Sequence, residues 1–278
     1  MIAVCMKWID HRPDVDRLTG EVHTDSRTSG ASDADQAALE WGLRIGDTWR
    51  ADVVAVTAGP AATEAMLREA LSVGAAGAIR VELEGHAPSD VVAAALFEAL
   101  PAGVDLVLCG AWSVDRGTGS VPAYLAARLD AAQALGLITV SFDASAVGVV
   151  DAERRLDGGR RERLRARTPA VLSVEGGGAR LRRAALAGVL DARTAPIDVV
   201  VPTAGGVPGR VRAPAIRTAP FRPRARALPA PSAALSARQR ILALTGALVD
   251  RDPPRLVRLD PPAAADELLA QLEAWGYR

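Results

Sequence analysis

Between Gly110 and Ala126 the sequence reads GAWSVDRGTGSVPAYLA, after the apolar run VDLVLCG and before a stretch with helical spacing. A strand that ends in such a loop, with a helix starting near Val121, leaves free backbone N–H groups at the carboxyl edge of a sheet. Those N–H groups and the helix dipole favour an anion, typically phosphate. Gly117 and Gly119 remove side chains that would block close approach, and Thr118 and Ser120 add hydroxyl donors. The same residues also describe an ordinary strand-to-helix turn with a Ser/Thr cap. Local sequence leaves both readings open.

Other chemistries find little support. No GK[ST] follows the loop, and its glycines do not form GxGxxG. His11, His23 and His86 have no metal-ligand spacing, and no Ser-His-Asp or paired-carboxylate motif is present. Asp10, Asp14 and Asp16 read as solvated loop residues. Binding is therefore the better expectation than an enzyme active site.

The loop needs a scaffold, and the first half of the chain supplies an alternation of elements. IAVCMKW, ADVVAVTAG, AGAIRVEL and VDLVLCG read as strands, while DADQAALEWGLRIG, PAATEAMLREALSVGA, PSDVVAAALFEAL and SVPAYLAARL read as helices. Pro60 suits the first turn of its helix. Strands apolar on both faces, alternating with helices, predict an α/β fold with an open, mostly parallel sheet flanked by helices. The next stretch reads as strands and turns. Val147–Leu156 and Arg161–Arg167 flank DGG and predict an antiparallel hairpin, with a smaller one around Thr19–Gly20.

From Val199 to Leu248 there is no acidic residue and no Lys; prolines punctuate the stretch, and six Arg fall between Arg210 and Arg226. This composition predicts an extended arm or linker. The expected organisation is a nucleotide-binding domain over 1–198, a Pro/Arg-rich arm over 199–234 and a helical tail over 235–278, with helices near Ser236–Leu248 and Ala263–Trp275. With 278 residues, 49% hydrophobic but only 4% aromatic, the core must be built from Ala, Val and Leu. The 33 basic and 33 acidic residues balance, giving no reason to expect nucleic acid. No apolar run is long enough to span a membrane. Cys5 and Cys109 sit in apolar runs, as in a reduced, cytoplasmic protein.

Taken in order, these segments resemble the β subunit family of electron transfer flavoproteins over about Met1–Ile197, and more weakly over the last helix. IAVCMKWID resembles the family's opening strand, and DADQAALEWGLRI its NPxDExAxExAxRL helix. VVAVTAGPAATEAMLREALSVGAAGAIRV carries the family's Gly-Pro and L-R-x-A-L-x-x-G-A. GAWSVDRGTGSVPAYLA occupies the place of the adenine-nucleotide loop GxQAxDxDxxQxG. LDGGRRERLRARTPAVLSV is similar to the DGG hairpin and PAV strand, and RRAALAGVLDARTAPI to RYxxLPxIxxAxxxPI. The divergent loop and arm are similar to a group encoded beside the mycofactocin redox system.

The resemblance implies an adenine nucleotide alpha hydrolase-like fold and a heterodimer with an alpha subunit that holds the redox-active FAD. It implies AMP, or a second FAD, in this subunit. The function implied is electron transfer from a dehydrogenase to an acceptor, without bond-making catalysis; the alternative is an adenine-nucleotide-binding regulatory or structural module with no redox role. Loop and resemblance together give an expected site of Cys5, Ser32, Asp33, Ala34, Asp35, Ala58, Gly110, Asp115, Gly117, Thr118, Gly119, Ser120 and Val121. Against the family pattern, Ser120 replaces Gln, Pro122 replaces Gly, Gly117 replaces Asp, and Ser32-Asp33 replaces Asn-Pro. Asp33 then brings a negative charge toward the expected phosphate. Leu186 matches the family's dehydrogenase-docking Leu, with Arg182 and Arg183 as a basic rim. A short helix packing Leu186, Val189 and Leu190 inward is the competing expectation.

Overall fold

The computed structural model describes residues 1–16, 18–83, 87–203, 230–245 and 256–276. The chain forms two compact units, residues 1–221 and 222–278. The first is built on a nine-stranded sheet. Its strands are β1 (Ile2–Cys5), β6 (Val53–Ala58), β7 (Gly77–Val81), β8 (Leu106–Gly110), β9 (Ala132–Phe142), β10 (Val149–Arg155), β11 (Arg161–Arg167), β12 (Ala170–Val174) and β13 (Asp198–Val200). They lie in the order β11-β10-β9-β12-β8-β1-β6-β7-β13. From β9 to β13 across the sheet all neighbours are parallel; β10 and β11 are antiparallel. Two small pairs stand outside it: β2 (Trp8–Asp10) with β5 (Ser29–Ala31), and β3 (Asp14–Val15) with β4 (Val22–His23).

The helices follow from the alternation of apolar side chains through the sheet. Along β1, Ile2 and Val4 point into one core, which contains Ala37, Ala38, Leu39 and Leu43 of α1 (Asp33–Trp49) and Met66 and Leu67 of α2 (Glu64–Ser72). Ala3 and Cys5 point into the other, with Ala93, Ala95 and Leu96 of α3 (Ser89–Ala99) and Leu125 and Ala126 of α4 (Val121–Leu129). β8 alternates in the same way, with Leu106 and Leu108 opposite Val107 and Cys109. Both faces are covered, as parallel strands require. Few aromatics are needed because Ala, Val and Leu make up most of both cores.

After β1 the chain builds outward through β6 and β7, then crosses over by α3 to β8 on the other side of β1. The order therefore reverses between β1 and β8, and a crevice opens there at the carboxyl ends of the strands. The DGG hairpin forms as expected, with Val149 opposite Arg167 and Arg155 opposite Arg161. So does the small one, with Gly20 in the left-handed conformation between β3 and β4. Pro60 precedes a 3-10 turn, Ala61–Thr63, and α2 proper starts one turn later than expected.

β13 runs across the boundary read from composition at 198. Val199 and Val200 pair with Arg80 and Val81, so the sheet extends into the start of the stretch read as an arm. Most of that arm, residues 204–229, lies outside the described residues. In the sequence between β12 and β13 stands α5 (Leu186–Ala192). The second unit holds α6 (Ala237–Leu244), started by a Ser236/Gln239 capping box, and α7 (Pro261–Ala274), capped by Asp260. α6 ends short of the expected Leu248; residues 246–248 lie outside the described residues. Among the described residues no helix is long and apolar enough to cross a membrane.

Candidate functional site

The crevice between β1 and β8 widens into a cleft of about 810 Å³, open solvent at its mouth included. Cys5 and Cys109, register partners at the ends of these strands, line it together with Ala58 from β6 and Val92 and Leu96 from α3. Lys7, Ser89, Ser113, Arg116, Thr118 and Ser120 contribute polar groups, and Trp112, 54% exposed, also lines the cleft. The apolar lining suits a ring system. The hydroxyls and cations suit phosphate.

α1 reaches this edge because two glycines let it. A Cβ on Gly110 would stand 2.8 Å from Asp35 Oδ1, and one on Gly176 would stand 2.8 Å from Asp33 Cβ. Ser32 caps the helix: its hydroxyl accepts the Asp35 N–H at 3.1 Å and donates to Asp35 Oδ2 at 2.6 Å. The buried Asp35 carboxyl is pushed up to about 6 by burial. Hydrogen bonds from the Ser32 hydroxyl and from the Lys7 and Gly110 backbone only partly oppose this. Asp35 thus joins the ends of β1 and β8 at their parting.

The loop after β8 is held from several sides. The Ala111 N–H donates to Val174 O at 2.9 Å, and Gly117 N–H to Ser113 O at 2.7 Å. Arg116 donates to Ala87 O. Lys7 donates to both Asp115 oxygens, at 2.6 and 2.5 Å, and to Ser113 Oγ at 3.1 Å. Burial works against the Asp115 carboxylate, but the bonds from Lys7 and Ser113 outweigh it and hold its pKa below the usual value. Gly119 has φ of 56°, and a Cβ there would lie 2.5 Å from Ala111 O, so the turn into α4 admits only glycine.

Ser120 stands at the N-cap of α4 but forms no capping bond; its hydroxyl donates to Thr118 Oγ1 at 3.2 Å. The ordinary Ser/Thr cap is therefore not what this loop contains. Pro122 lies in the first turn, where a missing N–H removes no intrahelical bond. Cys109 is held as a thiol, pushed far up by its contact with Cys5, by burial and by the nearby Asp35. With Cys109 protonated and Asp35 bonded to Ser32 and to the Lys7 and Gly110 backbone, these groups are built to shape a cleft.

Of the residues expected from sequence, Cys5, Asp35, Ala58, Gly110, Thr118, Gly119, Ser120 and Val121 line the cleft. Ser32, Asp33, Ala34, Asp115 and Gly117 adjoin it without forming its wall. Asp33 is exposed and packs over Gly176, so the expected repulsive charge is not in the lining. Lys7, Leu83, Ser89, Val92, Leu96, Trp112 and Arg116 were not anticipated.

α5 presents a second feature. It is a helix, but Leu186 (75% exposed), Val189 and Leu190 face solvent, so the inward-packing expectation fails. Its underside is tightly held. A Cβ on Gly188 would meet Ser72 O at 2.6 Å, and Arg68 Nη1 donates to Ala192 O and Ala195 O at 2.8 and 3.2 Å. Arg183 is exposed, but Arg182 turns toward α1, where it binds the buried Glu40 at 3.1 Å and Asp47 at 3.0 Å.

A family model described as "Electron transfer flavoprotein domain" matches residues 19–204, which carry most of the cleft and all of α5. The chain belongs to the electron transfer flavoprotein domain family. It is similar to the electron transfer flavoprotein subunit beta of Mycobacterium tuberculosis, 34% identical over 185 residues, 62% of this chain and 68% of that one. It is also similar to Protein FixA of Rhizobium meliloti, 32% identical over 160 residues, 55% of this chain and 54% of that one. With Protein FixA of Azotobacter vinelandii the identity is 36% over 135 residues, 45% of this chain and 47% of that one. The chain thus spans about half the length of these FixA relatives. The family match begins beyond β1, so Cys5 and Lys7 enter the site through the fold.

Proposed function

We propose that the chain is the beta-type subunit of an electron transfer flavoprotein. It pairs with a flavin-carrying alpha-type subunit and takes part in moving electrons from a dehydrogenase to an acceptor, without itself making or breaking covalent bonds. The cleft holds an adenine nucleotide, either AMP or the adenylate part of a second FAD. The observation that carries this reading is the cleft at the strand-order reversal, where α4 starts without a side-chain cap.

The residues present fit the nucleotide. Gly110 and Gly119 let the start of α1 and the Ala111 carbonyl close up behind the loop, Val92 and Leu96 offer an apolar wall to the base, and Thr118 and Ser120 offer hydroxyls to the phosphate. When bound, the flavin supplies the redox chemistry. This chain's residues bind and orient. The solvent-facing Leu186, Val189 and Leu190, on a helix fixed from below, support a docking contact with the partner dehydrogenase.

Heat denaturation of the purified protein, followed by chromatography of what is released, tests the cleft. AMP or FAD at near one per chain is expected. A protein that releases no nucleotide and binds neither on titration refutes the reading.

A further inference from the structure

Lys7 lies two residues past the end of β1 and Asp115 in the loop after β8, so their side chains meet across the crevice at which the sheet order reverses. The loop's other anchors lie elsewhere: Ala111 on β12, Arg116 on the approach to α3, Gly117 within the loop itself, and Thr118 Oγ1 at 3.5 Å from Ser89 Oγ of α3. Lys7 ties its middle to β1. The ammonium meets both Asp115 oxygens and Ser113 Oγ, three acceptors for three protons. Lys7 also lines the cleft, whereas Asp115 does not.

Two roles fit a lysine so placed. In one, its charge is for the ligand phosphate, and Asp115 is a resting counter-ion that competes with the ligand. In the other, the charge is for Asp115, and the pair holds the loop in the shape that binds. The geometry favours the second: both carboxylate oxygens and the Ser113 hydroxyl occupy the ammonium, and the Ser113 carbonyl in turn receives Gly117 N–H, at the start of the Gly117–Val121 segment.

We propose that Lys7 and Asp115 are positioning residues that act as one clasp, closing the crevice between β1 and β8 and fixing the loop that receives the nucleotide phosphate. This rests on the nucleotide reading above. The test is calorimetric titration of the full chain, stripped of bound nucleotide, with AMP and with FAD. The wild type is compared with Lys7→Met, Asp115→Asn, the double variant and Lys7→Arg.

A clasp predicts that each single removal weakens binding about tenfold and that the double variant is no worse than either. Lys7→Arg should restore most of the affinity, and nucleotide-free melting should stay within about 2 °C of wild type, since exposed ion pairs add little stability. Tighter binding by Asp115→Asn, with weaker binding by Lys7→Met, would assign Lys7 to the phosphate directly and overturn the proposal. Unchanged affinity in both variants would also overturn it while leaving the nucleotide reading intact. A wild type that binds neither probe would overturn both.

Discussion

Asp35→Asn isolates the energetic consequence of burying a carboxyl where β1 and β8 part. Burial moves the Asp35 pKa from 3.8 to about 6. A pKa raised by folding adds stability that is fully present below the unfolded value and is lost as pH rises through the folded one. Between pH 4 and pH 8 the wild type therefore loses about 2–3 kcal/mol through this group alone. Asn carries no charge at either pH. Its oxygen can accept from a strand-end N–H and its amide can donate to the Ser32 hydroxyl, although relative to the protonated carboxyl one N–H loses its acceptor at a cost of about 1–2 kcal/mol. That cost does not depend on pH. The assay is urea unfolding of both proteins at pH 4 and pH 8, followed by tryptophan fluorescence. The difference in unfolding free energy, wild type minus variant, should shift by about 2–3 kcal/mol in favour of Asn on going to pH 8. An equal difference at both pH values would refute the reasoning, because Asp35 would then titrate as an exposed carboxyl does.

Leu186→Ala should melt near wild type, because the side chain is 75% exposed, yet slow electron exchange with the partner dehydrogenase; a large fall in melting temperature would show that it packs internally. Thr118→Glu places a negative charge in the cleft and should abolish nucleotide binding with little effect on unfolding; full occupancy in that variant would count against the phosphate position. Gly110→Ala drives a methyl group against Asp35 Oδ1 and the start of α1, and should cost about 1–3 kcal/mol of stability by denaturant titration; a neutral substitution would mean that the contact is looser than described. Deleting the chain beyond Gly205 should weaken association with the alpha-type subunit more than it destabilises the first unit; an unchanged dissociation constant at physiological salt would argue against a role for the arm.

The sheet was legible because its strands are apolar on both faces: Ile2 to Cys5 and Leu106 to Cys109 carry no alternation that would mark a solvent side. The DGG hairpin was also legible, from its turn chemistry, and so was the place of the loop before α4, although its missing side-chain cap was not. The far wall of the cleft was not. Val92 and Leu96 look like any apolar helix face, and only the crossover from β7 to β8 brings them beside Thr118. Lys7 reads as the tail of a strand until its partner, 108 residues on, is known. Arg182 reads as a free rim cation beside an apolar helix, because Glu40 lies 142 residues away and leaves no local pattern. β13 was hidden by composition: its three residues border a Pro/Arg-rich stretch, and pairing with Arg80 and Val81 outweighs that context.

The central claim is that this chain works as one subunit of a two-subunit electron carrier. Co-expression with an alpha-type subunit, affinity capture through this chain and an absorbance spectrum of the captured complex test it most directly. The account predicts a one-to-one complex with a flavin spectrum that bleaches when a reducing dehydrogenase and its substrate are added. Capture of this chain alone, colourless and loaded only with nucleotide, would contradict it.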